Sequence, residues 1–72
     1  MKKTEFLKKI EGYNPNYNME LIGRAYDVAE EMHQGQIRKS GEPYLTHPMA
    51  VAEILADLGM DEETIADGLL HD

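Results

Sequence analysis

The strongest constraint on the fold is a pair of helical patterns with almost no chain between them. Apolar residues recur at the spacing of one helix face in 51–58 and again in 65–70. Gly59 is a stop signal for the first pattern, and Asp61 is a typical N-terminal cap for the second. A connection of two or three residues leaves the two helices no room to separate. The sequence therefore predicts that they pack as an antiparallel or steeply crossed hairpin. The apolar stripes are formed by Val51, Ile54, Leu55 and Leu58 in the first pattern, and by Ile65, Ala66, Leu69 and Leu70 in the second.

Two further helices are predicted before this hairpin. The first begins at Thr4 as its N-cap and ends at Gly12, and the second spans 19–33 with Asn18 as its cap. No segment alternates between polar and apolar residues as a half-buried strand does. The predicted fold is therefore all-α, with about four helices. The apolar stripes predicted for these two helices are Phe6, Leu7 and Ile10 in the first, and Leu21, Ala25, Val28, Ala29 and Met32 in the second.

The composition excludes several classes of protein. The chain has 72 residues, enough for one small domain or part of one, and no cysteine, which rules out disulfides and thiolate zinc sites. Its net charge of -7 argues against DNA and other nucleic acids as general partners, because such binding needs a basic face. No apolar run approaches the ~18 residues of a membrane span. We therefore expect a cytoplasmic protein without a membrane partner.

The loop between the second and third helices concentrates groups that bind anions. Arg38, Lys39 and Ser40 precede the turn residue Gly41. Their side chains offer hydrogen-bond donors to a phosphate or a carboxylate, and an arginine can also stack on a planar base. The loop lacks the spacing of a phosphate-binding P-loop. At this point an exposed loop with ordinary surface charges remains the alternative interpretation.

Histidine and carboxylate side chains occur at two places that the hairpin would bring together. His47 lies at the start of the third helix, with Thr46 or His47 as the cap before Pro48, and His71-Asp72 ends the fourth helix. Imidazole and carboxylate are the natural ligands of zinc, manganese or iron where thiolates are absent. Surface or capping roles are the alternative. His33, at the end of the second helix, is interpreted as a cap or a supporting histidine rather than as a ligand.

These residues together resemble a known family. The resemblance is to the start of the hydrolase domain of RelA/SpoT-homologue enzymes, a domain of the HD superfamily of helical, metal-dependent phosphohydrolases. It covers roughly residues 19–72. It implies removal of the 3′-pyrophosphate from the alarmone (p)ppGpp, giving GDP or GTP, usually with Mn²⁺. The motifs that carry it are His33-Gln34-Gly35-Gln36, Arg38-Lys39-Ser40-Gly41-Glu42-Pro43-Tyr44, His47-Pro48, Leu58-Gly59-Met60-Asp61 and Leu69-Leu70-His71-Asp72.

The resemblance also implies roles for individual residues. His47, His71 and Asp72 would be three of the four protein ligands of Mn²⁺. Arg38, Lys39 and Ser40 would bind guanosine tetra- or pentaphosphate, with Arg38 against the guanine. The family's acid/base Glu-Asp pair and its fourth metal ligand would follow Asp72. We therefore expect residues 1–72 to be an N-terminal fragment of such a domain, truncated at the His-Asp motif and inactive by itself.

Two other functions remain open. The chain could belong to an HD phosphohydrolase for another nucleotide, or it could be a helical interaction module without catalysis. An incomplete fold should leave Leu69, Leu70 and the 51–58 stripe exposed, because their partner helices would be absent. We therefore expect the fragment to self-associate through these apolar faces.

Overall fold

A computed structural model describes residues 2–71, which form four α-helices and confirm the predicted all-α class. One isolated antiparallel bridge pairs Ile37 with Pro43 in the loop between the second and third helices. No helix within the described part of the chain has both the length and the apolar character needed to cross a bilayer. The helices are α1 (Lys3–Tyr13), α2 (Met19–Met32), α3 (Thr46–Asp57) and α4 (Glu62–Leu70).

Side-chain caps fix the starts of α2 and α4. The Asn18 Oδ1 atom accepts a hydrogen bond of 3.1 Å from the backbone N–H of Leu21. The Asp61 Oδ1 atom accepts one of 2.8 Å from the backbone N–H of Thr64. Each bond satisfies an N–H group that has no partner inside the first turn of its helix. Both predicted caps are confirmed.

The predicted boundaries of α1 and α3 are wrong by one or two residues. Helix α1 begins at Lys3, so Thr4 lies inside it, and the helix continues one residue past Gly12. Helix α3 begins at Thr46, so neither Thr46 nor His47 is its cap and Pro48 is its third residue. The N–H groups of a first turn have no intrahelical acceptor, so a proline there removes no helical hydrogen bond.

Helix α4 lies at the centre of the packing. It contacts both α2 and α3, whereas α1 packs on the other side against the same two helices. Ile65 and Leu69 of α4 are fully buried. Phe6 of α1 is also fully buried, and its ring lies 5.6 Å from that of Tyr26 in α2. The burial of Leu69 corrects the expectation that it would be exposed, because α2 and α3 together cover it.

The buried face of α2 is rotated relative to the prediction. Val28 and Met32 are 46% and 51% exposed, whereas Ile22 and Tyr26 are buried. The residues 22, 25, 26 and 29 also follow the i, i+3, i+4, i+7 spacing. The sequence of α2 thus contains two overlapping apolar stripes, and the positions of α1 and α4 decide which of them is buried.

Two residues of the predicted apolar stripe of α3, Ile54 and Leu58, are exposed, as expected, and the core-facing side of the helix is formed by other residues. Met49, Ala52 and Ala56 are buried, whereas Ile54 and Leu58 are about 60% exposed. The small alanines bring the backbone of α3 close to its neighbours, and the larger residues lie on the outer side. Leu70 is also exposed, at 39%. This apolar surface is the one on which self-association would depend, and self-association stays a prediction.

The two helix connections are tied to each other. The Tyr17 hydroxyl donates a hydrogen bond to the carbonyl oxygen of Met60. The backbone N–H of Asn18 donates to Glu62 Oε1 at 3.0 Å. Burial raises the pKa of the Tyr17 phenol, and the nearby carboxylates of Glu62 and Asp61 raise it further. The phenol therefore remains a protonated donor across the neutral range.

We predict that the Asp61 cap makes stability depend on pH at acid values. Hydrogen bonds from Thr64 hold the pKa of Asp61 below its ordinary value of 3.8. Because the pKa is lower in the folded state, this stabilisation is complete above 3.8 and is lost as the pH falls through the folded-state pKa. Asp61→Asn keeps a capping oxygen but does not ionise. Its unfolding temperature, followed by circular dichroism, should fall less than that of the unmodified chain below pH 3.8. If the unfolding temperatures of the two proteins fell in parallel as the pH is lowered, the Asp61 carboxylate would not be the source of the pH dependence.

Candidate functional site

The loop between α2 and α3 is a short hairpin closed by backbone hydrogen bonds. The N–H of Tyr44 donates to the carbonyl of Gln36 at 3.1 Å, and the N–H of Arg38 donates to that of Glu42 at 2.8 Å. At the tip, the N–H of Gly41 donates to the carbonyl of Arg38 at 2.8 Å. Gly41 has a φ of 89°, a left-handed conformation that glycine adopts without strain. The tip that carries the predicted nucleotide-binding residues is therefore a defined turn.

The hairpin brings the three predicted nucleotide-binding residues together. Arg38, Lys39 and Ser40 line one open depression of about 580 Å³, which Ile37 and Tyr44 complete. This volume is within the ~300–1,000 Å³ of typical small-molecule sites. The Arg38 guanidinium carbon lies 5.7 Å from the centre of the Tyr44 ring. Two cations, a hydroxyl and an aromatic wall suit a ligand that is both planar and anionic.

His33 lies beneath this hairpin. It is the C-cap of α2, as predicted, and its backbone N–H donates a hydrogen bond of 3.1 Å to the carbonyl of Ala29. Its buried ring stacks on Tyr44, with 4.2 Å between ring centres and an angle of 22° between planes. Its Nδ1 atom lies 3.0 Å from Gln36 Oε1, a hydrogen bond that the tautomer with a proton on Nδ1 donates. Gly35, two residues after His33, has a φ of 78°, which confirms the predicted left-handed position after α2.

The predicted metal ligands lie at the start of α3 and the end of α4. His47 is the second residue of α3 and His71 is the C-cap of α4, and both are exposed. Asp72, the third predicted ligand, lies outside the described residues. Within residues 2–71, no three histidine, aspartate or glutamate side chains are grouped closely enough to hold a metal ion. The three-ligand site therefore stays a prediction.

The packing of α3 on α4 shows how these two helix ends are related. A Cβ atom at Gly68 would lie 2.7 Å from Leu55 Cδ1 and 3.5 Å from Val51 Cγ1, so the α4 backbone touches the side chains of α3 there. Gly68 is six positions into α4, and Val51 is six positions before the end of α3. Helices that meet at equal distances from a short connection run in opposite directions. The start of α3 and the end of α4 are therefore on the same side of the molecule, which agrees with the predicted antiparallel or steeply crossed hairpin.

The sequence analysis did not identify Tyr44 as a wall of the site. Tyr44 lines the depression, stacks on His33 and accepts a hydrogen bond of 3.3 Å at its carbonyl from the N–H of His47. A signal was present, because Tyr44 is the only phenylalanine, tyrosine or tryptophan between α2 and α3. Its role depends on the hairpin pairing, which periodicity does not reveal.

We predict that the turn at the hairpin tip requires glycine. Gly41→Ala should lower the free energy of unfolding by about 1 kcal/mol, because an alanine side chain strains the left-handed conformation. The space around this position is open, so the cost comes from the backbone and not from a clash. Gly12→Ala is the matched control, since it is also unobstructed but lies within helix α1. It should stabilise the chain by up to about 1 kcal/mol. Equal changes in the free energy of unfolding for the two variants, measured with denaturant, would contradict a left-handed turn at Gly41.

Comparison with known proteins places this geometry in a family context. Residues 25–72 match a family model described as an HD domain. The bifunctional (p)ppGpp synthase/hydrolase RelA of Mycobacterium tuberculosis is 53% identical over 58 residues, which cover 81% of this chain and 8% of that protein. The GTP pyrophosphokinase of Streptomyces coelicolor is 54% identical over 69 residues, covering 92% of this chain and 8% of that protein. The GTP pyrophosphokinase rsh of Brucella melitensis is 44% identical over 72 residues, covering 100% of this chain and 10% of that protein. The chain thus spans only 8–10% of the length of these curated relatives.

Proposed function

Because the chain belongs to the HD-domain family, in its RelA/SpoT group, we propose that it forms part of a (p)ppGpp hydrolase site. The reaction of the complete protein would be hydrolysis of the 3′-pyrophosphate, which yields GDP or GTP and pyrophosphate. The observation that carries this proposal is the convergence of Arg38, Lys39 and Ser40 on one depression. The chain would supply the nucleotide-binding loop and three of the metal ligands.

The nucleotide would bind against the hairpin tip. Arg38 is exposed and lies near the Tyr44 ring, so its planar guanidinium can stack on a purine face. Lys39 and Ser40 lie beside it and offer donors to ribose and phosphate oxygens. The chain as a whole carries a charge of -7, so attraction for a polyphosphate has to come from such local cations.

The metal would bind where α3 begins and α4 ends. His47 and His71 offer imidazole nitrogens from exposed positions at adjoining helix ends, and Asp72 would add a carboxylate. Two imidazoles and one carboxylate suit Mn²⁺ or another divalent ion, with positions left open for substrate. Such an ion, when bound, would polarise the phosphoryl group and lower the pKa of an attacking water. His47 and His71 would hold it beside the nucleotide loop, because the N–H of His47 bonds to the Tyr44 carbonyl.

Hydrolysis is favoured over synthesis as the role of this chain. The names of the relatives include both activities, and the bifunctional one is called a synthase/hydrolase. The HD-domain match covers 25–72, which includes every residue proposed here for the nucleotide and the metal. By resemblance, the His71-Asp72 pair indicates a hydrolase lineage, and the acid/base residues would follow it in the complete protein. An HD phosphohydrolase for another nucleotide would use the same loop.

A second candidate function is a helical interaction module. The exposed apolar residues Ile54 and Leu58 on α3 favour it, because such a surface is typical of a contact with another protein. In that case the loop and the histidines would have no catalytic role. Metal-dependent hydrolysis in the complete protein separates the two candidates.

We predict that His47→Ala in the complete protein abolishes metal-dependent release of pyrophosphate from (p)ppGpp. The loss should be at least about a thousandfold, because the site would lack a ligand of the ion that activates the water. Any synthesis of (p)ppGpp should be unchanged. Glu20→Gln is the control, since Glu20 is exposed and forms an ion pair with Arg24 of the same helix. Retained hydrolysis at normal metal content would remove His47 from the site.

A further inference from the structure

Three side chains form a continuous column from the end of α2 to the tip of the hairpin. His33 is buried, Tyr44 is half-buried and Arg38 is exposed. The His33 and Tyr44 rings stack with 4.2 Å between their centres, and the Arg38 guanidinium carbon lies 5.7 Å from the Tyr44 ring centre. Each group therefore restricts the next one, from the rigid helix to the solvent.

The base of this column is fixed at two points. The backbone N–H of His33 bonds to the last turn of α2 through Ala29, and its carbonyl accepts a hydrogen bond of 3.0 Å from the N–H of Gln36. The Gln36 side chain also meets the His33 ring at Nδ1, and the Gln36 carbonyl accepts from Tyr44. The imidazole thus has a fixed plane, and the ring of Tyr44 is held against it by both stacking and backbone pairing.

Tyr44 connects this column to the proposed metal site. Its carbonyl accepts a hydrogen bond from the N–H of His47, in the first turn of α3. A displacement of Tyr44 would therefore move Arg38 on one side and the backbone of His47 on the other.

We propose that His33 is a positioning residue for the nucleotide site. By fixing the plane of Tyr44, it sets the orientation in which Arg38 meets a guanosine polyphosphate. It touches neither the nucleotide nor the metal, and it acts through Tyr44. The inference rests on the proposed function for the identity of the ligand. That His33 orders the hairpin can, however, be tested without any ligand.

The first experiment measures the affinity of the full 72-residue chain for guanosine tetraphosphate by calorimetry. His33→Ala should weaken binding by about tenfold, because the hairpin loses its stack. His33→Phe keeps a flat ring and should stay within about twofold of the original chain. The matched control is Tyr17→Phe, which removes the hydrogen bond to Met60 at the far end of α3 and should leave affinity unchanged.

A double-substitution cycle separates positioning from a general loss of structure. Arg38→Ala should weaken binding on its own. If His33 acts through Arg38, adding His33→Ala to Arg38→Ala should weaken binding by no more than about twofold further. A purely structural role would give effects that multiply in full, and that result would overturn the proposal. Equal affinity of His33→Ala and the original chain would also overturn it.

The second experiment follows hydrogen exchange of the hairpin amides in the absence of nucleotide. His33→Ala should speed exchange at the Arg38 and Tyr44 amides by about tenfold relative to the original chain, and His33→Phe should not. Tyr17→Phe should not speed these amides more than those of α4. Unchanged exchange in His33→Ala would overturn the inference whatever the binding result.

The two experiments also distinguish the inference from the proposed function. If the original chain binds guanosine tetraphosphate no better than Arg38→Ala does, the proposed nucleotide loop is wrong, and the exchange measurement alone decides the role of His33. If Arg38→Ala weakens binding but His33→Ala does not, the proposed function stands and the role of His33 is rejected.

Discussion

The close contact of α4 with α3 at Gly68 is the constraint on which the rest of the structure depends. A side chain at Gly68 would overlap Leu55 Cδ1, so the absence of one allows the α4 backbone to lie against α3. Around this contact α3 and α4 fold back on each other, and Leu69 is fully buried where α4 packs on α3 and α2. The packing also places the start of α3 and the end of α4 on one side of the molecule. The burial of Leu69 and the geometry proposed for the metal both depend on how α4 packs against α3.

The loop proposed to bind the nucleotide depends on a second, more local set of contacts centred on Tyr44. This residue pairs with Gln36, stacks on His33 and approaches Arg38, and its carbonyl bonds to His47. The loop is thus joined to rigid helices at both ends, although its tip is exposed. Anchoring of this kind reduces the conformational freedom that a ligand would otherwise have to restrict on binding. An exposed cationic loop in an acidic chain can then act as a specific site.

The parts of the fold that local chemistry decides could be predicted from the sequence, and the parts that depend on neighbours could not. The caps at Asn18 and Asp61 are confirmed because each needs only its own first turn. The buried face of α2 was wrong because Ile22 and Val28 belong to two overlapping stripes with the same spacing. In the site, the nucleotide-binding role of Arg38, Lys39 and Ser40 stays a prediction, and the structure adds the depression that they line. The role of Tyr44 was not predicted, since stacking across the hairpin leaves no periodic signal.

The central claim of the proposal is that His47 and His71 bind one divalent ion together. The most direct test is to titrate the chain with Zn²⁺ while the histidine ring signals are recorded by NMR. The chain has three histidines, so His33 serves as an internal reference. We predict that the His47 and His71 signals shift together and that His33 does not respond. The His71 response should be lost in His47→Ala, because a shared ion needs both rings. A His71 response with the same midpoint in His47→Ala, or no response of either ring, would contradict the shared site.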